Sequence, residues 1–598
     1  MRNIWLPVNI TLGVTEQSLH EGRLRLAVAV FMAALLPVIG CASGPPGSSA
    51  AGGPSEPTSP GTGLKVLTIA TTREPPFIVG FTGGGTTGGS GEIKNMLHNT
   101  LSVLAEDGTY RAQLASEDIS VDNGTWRLNP DGTMDLVWKL RPNIAWHDGA
   151  PFTSDDMLFT FQVMKDKDLP TPAAGILALM DSASAPDAQT FIVHWSQPYA
   201  LANGAEGLDP LPKHLLAPLY EGGDRDAFVN SPYLTTDWVG LGPYKMDRWV
   251  QGSELDLARF DAYYLGRPGV DRVIVRFIGD PNSMVAAILA GAVDVVYPPG
   301  VDFDNALNVK DQWQGTGNVV RFDSVDANGR LRILENQFRP ELMQPREALS
   351  NSAVRQALYR AIDRATMIEV ITHGLTPVAD SWIQPTDARR KALESDIPQY
   401  PYDPARAQQQ LAEAGWRAGA DGILVSTATG ERFQVQLRAS QVGGSQVGKE
   451  RELTVVADSW KRIGVDSTLN LQAIGATGDR GYEAVQPGVA DVGNMAPITN
   501  LFRRLNGRFI AAESNRWTGY DLTGYTDPLT TSLLDSYLVA IDPAERLALD
   551  RQLLQKVMGD VVVMPLYWEV VPTLITNGVD ASVANPLHIQ EFYKWTKR

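Results

Sequence analysis

The sequence predicts a mixed α/β protein of several domain-sized units. Three observations predict it. First, 598 residues leave room for roughly three to five such units. Second, 43% apolar, 20% charged and 8% aromatic residues are globular proportions. Third, helical and strand-like patterns alternate through the body, as layered α/β folds require.

The elements can be justified in order. Leu64–Ala70 (LKVLTIA) is apolar and β-rich, the pattern of a buried first strand. The Gly-rich stretch 80–91 lacks the Lys-Ser/Thr ending of a phosphate loop and reads as a surface loop. Asp280-Pro281, Asp403-Pro404, Asp527-Pro528 and Asp542-Pro543 each place an N-cap acceptor before a proline. Proline suits the first helical position, where its missing N–H would be unpaired anyway. Thr153 with Asp156 and Asp542 with Glu545 have capping-box spacing. From Val354, apolar residues at 357, 358, 361, 362, 365 and 368 predict one amphipathic helix ending before Gly374. The Asp280 helix runs to Gly291 and leads into a strand at Val293–Tyr297.

The amino-terminal segment addresses the compartment. Arg23 and Arg25 precede a fourteen-residue apolar run, Leu26–Ile39, too short to span ~30 Å of hydrocarbon as a helix. It fits the apolar region of a signal peptide. Val38-Ile39-Gly40-Cys41 resembles a bacterial lipobox, which implies lipid attachment to Cys41 and cleavage before it. An ordinary secretory signal with an incidental Cys is the alternative. Residues 41–63 carry six Gly, five Pro, five Ser and a single charge, Glu56, so they read as a flexible tether.

Charge and motifs narrow the chemistry. The net charge is -17, and removal of residues 1–40 would leave -18. So acidic a surface disfavours nucleic-acid partners. One Cys excludes an internal disulfide framework, a Cys-rich zinc site and an iron–sulfur cluster. The nearest two of the seven His, His194 and His214, stand twenty residues apart, so no HExxH-like metal motif exists. Neither a G-x-S-x-G elbow nor a Walker loop is present. Trp146-His147-Asp148-Gly149 suggests a His–Asp dyad. Adjacent side chains on an extended segment point to opposite faces, so the structural reading, a turn before the Thr153 helix, is preferred.

Several ordered blocks carry a resemblance. Segment 136–161 (LVWKLRPNIAWHDGAPFTSDDMLFTF) resembles the signature of family 5 extracytoplasmic solute-binding proteins of ABC importers. LPKHLL (211–216), the block 239–296, AVRQALYRAIDRATMI (353–368), YDPARAQQQLAEAGW (402–416) and MPLYWE ending at Glu569 follow in the family's order. The resemblance covers about residue 64 to the end. It implies a two-lobed periplasmic-binding-protein-like α/β fold of the class II type with an extra inserted subdomain. Lobe I would comprise 64–96, 185–305 and 560–598, the inserted subdomain 97–184, and lobe II 306–559. It also implies a monomeric binding protein, not an enzyme, with no cofactor or metal. Its partners would be a small-molecule or oligopeptide ligand and the permease subunits. It would sit lipid-anchored on the extracytoplasmic face of the membrane or in the periplasm.

Candidate ligand contacts follow from the same resemblance. In peptide-binding relatives an acid after a strand of the second lobe pairs with the ligand's α-ammonium. The equivalent stretch here resembles ADVGNMAPITNLFRRL (490–505), where no acid follows Asp491 until Glu513. Asn494, Met495, Thr499 and Asn500 offer uncharged polar and apolar contact instead. Arg503 and Arg504 read as a solvated face, with an anionic ligand group as the alternative. Thr72, Arg73 and Glu74 follow the first strand, and Glu74 could replace the missing anchor. Asn336 and Phe338 end a strand-like run, LRILENQF. Trp382 and Trp517 would pack on ligand, or else in a lobe core. A peptide-like solute leads; a sugar, metal chelate or opine, or a sensor or chaperone-like role, are the alternatives.

Overall fold

A buried strand at Val66–Thr71 sits between two parallel neighbours, Arg272–Phe277 and Val295–Val296. Leu67, Ile69 and Ala70 have no exposure, as expected of a strand covered on both faces. The computed structural model describes residues 63–78, 90–105, 107–169, 174–298, 300–324, 330–440, 446–472, 480–493, 498–517, 519–581 and 589–598. The signal-like segment, Cys41, the tether before Gly63 and most of the Gly-rich stretch lie outside them.

The main sheet has eleven strands. Its first-lobe half adds the antiparallel pair Glu254–Arg259 and Tyr244–Val250 beyond Arg272–Phe277. Its second-lobe half runs through Arg330–Asn336, Val489–Gly493, Gln434–Ser440 and Asp466–Gln472. One thirteen-residue strand, Val563–Ile575, belongs to both halves. Val563–Glu569 pairs with Arg330–Asn336, and Val570–Ile575 pairs with Val319–Ser324.

This pairing corrects the expected boundaries. Residues 306–324 remain with the first lobe, because Ala306 and Val309 pack with Met284, Ile288 and Val296. Ser324 is the last described residue of the first-lobe stretch and Arg330 the first of the second lobe, and the strand changes lobes near Glu569 and Val570, later than 305 and 559. The inserted subdomain also extends beyond residue 184. Its four-stranded sheet runs Trp126–Leu128, Met134–Lys139, Thr190–Trp195, Met180–Asp187, so a boundary at 184 would divide a hairpin. Met180–Asp187 is mostly exposed beyond Met180, so no apolar run announces that hairpin in the sequence. The core of the subdomain gathers Trp138, Trp146, Phe191 and Trp195 and reaches Leu208.

The Asp-Pro caps form as the sequence predicts, although Asp542 caps through the Ala544 N–H and not in a box with Glu545. Asp280, Asp403, Asp527 and Asp542 accept backbone N–H bonds from Ser283, Arg406, Thr530 and Ala544. Asp156 returns a carboxylate oxygen to the Thr153 N–H at 2.9 Å. The helix expected from Val354 is instead two, Ser352–Arg360 and Arg364–Thr372. Asp363 accepts from the Thr366 N–H and restarts the helix, so a second cap interrupts an unbroken apolar period.

Candidate functional site

A cavity of about 410 Å³ lies between the segment that closes the inserted subdomain and the second lobe. This is within the range of small-molecule sites, about 300–1,000 Å³. One wall carries Ile176, Leu179, Tyr199 and Leu201; the other carries Phe502, Arg503, Phe509, Tyr520 and Leu538. Tyr199 stacks on Trp195 at 5.4 Å, and burial pushes its hydroxyl pKa up. The two walls meet directly. The Ala200 N–H donates to the Leu538 carbonyl at 2.5 Å, and Leu538 and Ile541 pack on the subdomain core.

Helix Ile498–Leu505 supplies Phe502 and Arg503. Phe502 meets Phe509 edge-on at 5.3 Å. Arg503 pairs with Glu206 across the lobes and lies 4.8 Å from the Tyr520 ring centroid. Arg504 turns the other way, into its own lobe. It bonds both oxygens of Glu335 at 2.9 and 3.0 Å, and that carboxylate is 5% exposed. Successive helical residues project about 100° apart. The expected solvated Arg pair is therefore corrected: one Arg bridges the lobes and the other satisfies a buried acid. Arg508 and Asp535, also on the cavity wall, pair at 2.6 Å.

The predicted contact residues fall elsewhere. Glu74 accepts from the Trp249 indole N–H at 2.5 Å and the Gly252 N–H at 2.9 Å, so both oxygens serve a hairpin of the first lobe. Thr72 is half-buried and Arg73 exposed. Asn336 is fully buried and turns its amide towards the Val561 and Val562 carbonyls at 3.4 Å. Trp382 belongs to the second-lobe core, and its indole N–H has no partner among the described residues. Asn336 and Trp382 are thus corrected to core positions, because the surrounding packing encloses them. Phe338 meets Tyr525 edge-on at 5.0 Å, with the Arg355 guanidinium 5.4 Å from its ring. Trp517 is half-buried at φ 60°, its ring against Gly481, where a Cβ would stand 3.0 Å from it. Asn494 and Met495 lie outside the described residues. Thr499 and Asn500 are placed on helix Ile498–Leu505, with their side chains outside the description. Among the predicted contacts whose side chains are described, none lines this cavity. Its aromatic wall was missed because Phe502, Phe509 and Tyr520 share no period or motif, and only folding brings them to the Tyr199 segment.

Two further arrangements bear on chemistry. His147 is buried, with Nε2 3.0 Å from the Gly242 carbonyl and Nδ1 accepting from the Gly240 N–H at 3.1 Å. Burial lowers its pKa to about 4. Asp148 pairs with His214 at 2.7 Å instead, so the adjacent His and Asp form no dyad. Asp521 is 1% exposed. One carboxylate oxygen accepts from Thr523 and Gly524, and the other has no partner among the described residues. Burial pushes its pKa up to about 7. Among the described residues no three His, Cys, Asp or Glu side chains converge to hold a metal, and no helix is long and apolar enough to cross a membrane.

Residues 111–502 match the family model of bacterial extracellular solute-binding proteins, family 5 Middle. The oligopeptide-binding protein AppA of Bacillus subtilis (strain 168) is 27% identical over 388 residues, 63% of this chain and 64% of AppA. The chain thus spans just under two thirds of that relative's length. The structure of the oligopeptide-binding protein AppA from Bacillus subtilis in complex with a nonapeptide superposes with a TM-score of 0.66. It covers 90% of this chain and 99% of that one at 21% identity. NikA from Brucella suis in complex with Fe(III)-EDTA gives 0.71, covering 89% and 100%, at 19% identity. At such identities the likeness is one of fold, and the fold is the two-lobed binding fold.

The buried ionic groups set two expectations. Arg504→Met leaves the Glu335 carboxylate buried and unpaired, and should cost about 3–5 kcal/mol in urea unfolding. Arg508→Met, at an exposed pair, should cost under about 1 kcal/mol; equal losses would contradict this placement. For Asp521, a folded pKa of about 7 stands above the ordinary 3.8. The folded state therefore holds the proton more tightly than the unfolded chain. That contribution is full below the ordinary value and is lost as pH rises to about 7. Unfolding midpoints of Asp521→Asn should gain on those of the wild type between about pH 4 and about pH 7; parallel profiles would refute the assignment.

Proposed function

Because the chain belongs to the bacterial extracellular solute-binding proteins of family 5, we propose that it captures a peptide-like solute between its lobes and delivers it unchanged to the permease of an ABC importer. The observation that carries this reading is the cavity between the inserted-subdomain segment and the second lobe, lined from both sides. A solute held by both walls gains contacts only in the closed arrangement, and that differential drives closure. A Kd of ~1 μM, about -8.2 kcal/mol, suffices for capture while leaving release fast enough for transport. Binding and release need no bond chemistry, which fits a chain without a recognisable catalytic motif. The peptide class is supported by the relationship to an oligopeptide-binding protein.

The anchor belongs to the same proposal. Cleavage before Cys41 and acylation of its sulfur would tether the protein to the extracytoplasmic membrane face through residues 41–63. Two or more acyl chains, at ~0.8 kcal/mol per buried CH₂, hold a protein stably.

Mass spectrometry of solute released by denaturing the purified protein tests the ligand class: oligopeptides are expected, and a sugar, metal chelate or opine would replace the peptide reading. Cys41→Ser should abolish metabolic labelling with radioactive palmitate and shift the protein from the membrane to the soluble fraction; unchanged labelling would exclude Cys41 as the anchor.

A further inference from the structure

Arg503 has donors to spare. A guanidinium carries five N–H groups. Among the described residues Arg503 makes one hydrogen bond, through Nη2 to Glu206. Its side chain is only 23% exposed, it lines the cavity, and Tyr520 supports its face. Among the described residues, four N–H groups of a half-buried cation thus remain at the wall of a cavity.

The other charged groups of that wall pair with each other. Arg508 and Asp535 satisfy each other, and Asn506 adds a bond to Asp535 at 3.1 Å. Ile176, Leu179, Leu201, Phe502, Phe509 and Leu538 supply apolar surface. The two Arg of the wall face two acids, Glu206 at Arg503 and Asp535 at Arg508, so the selectivity of the site turns on open donors and not on an excess of charge. A half-buried guanidinium with open donors at a cavity wall matches a planar anion that accepts two parallel bonds.

We propose that Arg503 is the specificity-determining residue of the cavity, receiving the carboxylate of a solute whose apolar portion fills the space between Tyr199 and Phe502. The inference rests on the solute-binding reading and adds the chemical class of the solute: an amphipathic carboxylate rather than a cation. Glu206 holds the guanidinium in place and shares it with the incoming carboxylate. Because Glu206 is itself an anion beside the bound carboxylate, it also weakens binding by like-charge repulsion.

Calorimetry on the purified protein tests this with matched pairs: Leu-Leu-Phe and its carboxamide, and 4-phenylbutyrate and 4-phenylbutanol. Each acid that binds should do so about tenfold or more tightly than its neutral partner, the scale of one charge-assisted hydrogen bond. Arg503→Gln should reduce the acid to the affinity of the neutral form. Glu206→Gln should tighten the acid and leave the neutral form unchanged, and it serves as the independent arm if Arg503→Gln fails to fold. Binding of the peptide acid alone would identify a peptide carboxylate; binding of phenylbutyrate as well would identify apolar carboxylates in general. Equal binding of acids and neutral forms, or an acid preference that survives in Arg503→Gln, overturns the role of Arg503 while solute binding stands. If no probe binds and no solute from a cell extract raises the unfolding temperature, the solute-binding reading falls with it.

Discussion

The strand Val563–Ile575 is the constraint on which the two-lobed arrangement depends. It pairs with second-lobe strands along its first half and first-lobe strands along its second. Every residue in it is buried except Glu569, which is half-buried at the passage and paired in register with Arg330. A strand enclosed on both faces reads as a near-continuous apolar run, and VMPLYWEVVPTLI does so with one interruption. The second-lobe side of this passage is fixed by charge. Arg332, opposite Tyr567 in the ladder, bonds Glu452 at 2.6 Å, and the Tyr567 hydroxyl donates to the same buried carboxylate. Each partner compensates a group that would otherwise be unpaired away from water.

Away from that strand and the cavity walls, the described contacts between the lobes include exposed ion pairs. Asp304 of the first lobe accepts from His373 and Arg451 of the second at 3.0 Å each, with all three side chains about half exposed. Exposed pairs of this kind contribute about 0–1 kcal/mol each. The buried pairs, Arg504 with Glu335 and Arg332 with Glu452, lie inside the second lobe. The adjacent residues Arg503 and Arg504 therefore separate two tasks, one across the lobes and one within a lobe.

Local chemistry was readable wherever it was written in neighbouring residues. The Asp-Pro pairs at 280, 403, 527 and 542 start helices because the acceptor and the residue lacking an N–H stand side by side. Asp363 escaped notice because the apolar period runs unbroken through it, and period outweighed cap in that reading. The lobe boundaries escaped for a related reason. Strand partnership is decided by ladders between residues more than two hundred positions apart, such as Val320 with Leu574.

By itself the sequence determined the α/β class, the caps, the buried first strand and the order of family blocks, because all of these depend on residue type and short spacing. The tertiary structure decided which charges are spoken for. Glu74 looked available until Trp249 and Gly252 were found on its oxygens; Arg503 and Arg504 looked alike until the helix sent them to different lobes. It also assembled the aromatic cavity from segments three hundred residues apart. Availability of a donor or acceptor is a property of its surroundings, and those surroundings exist only once distant segments have packed.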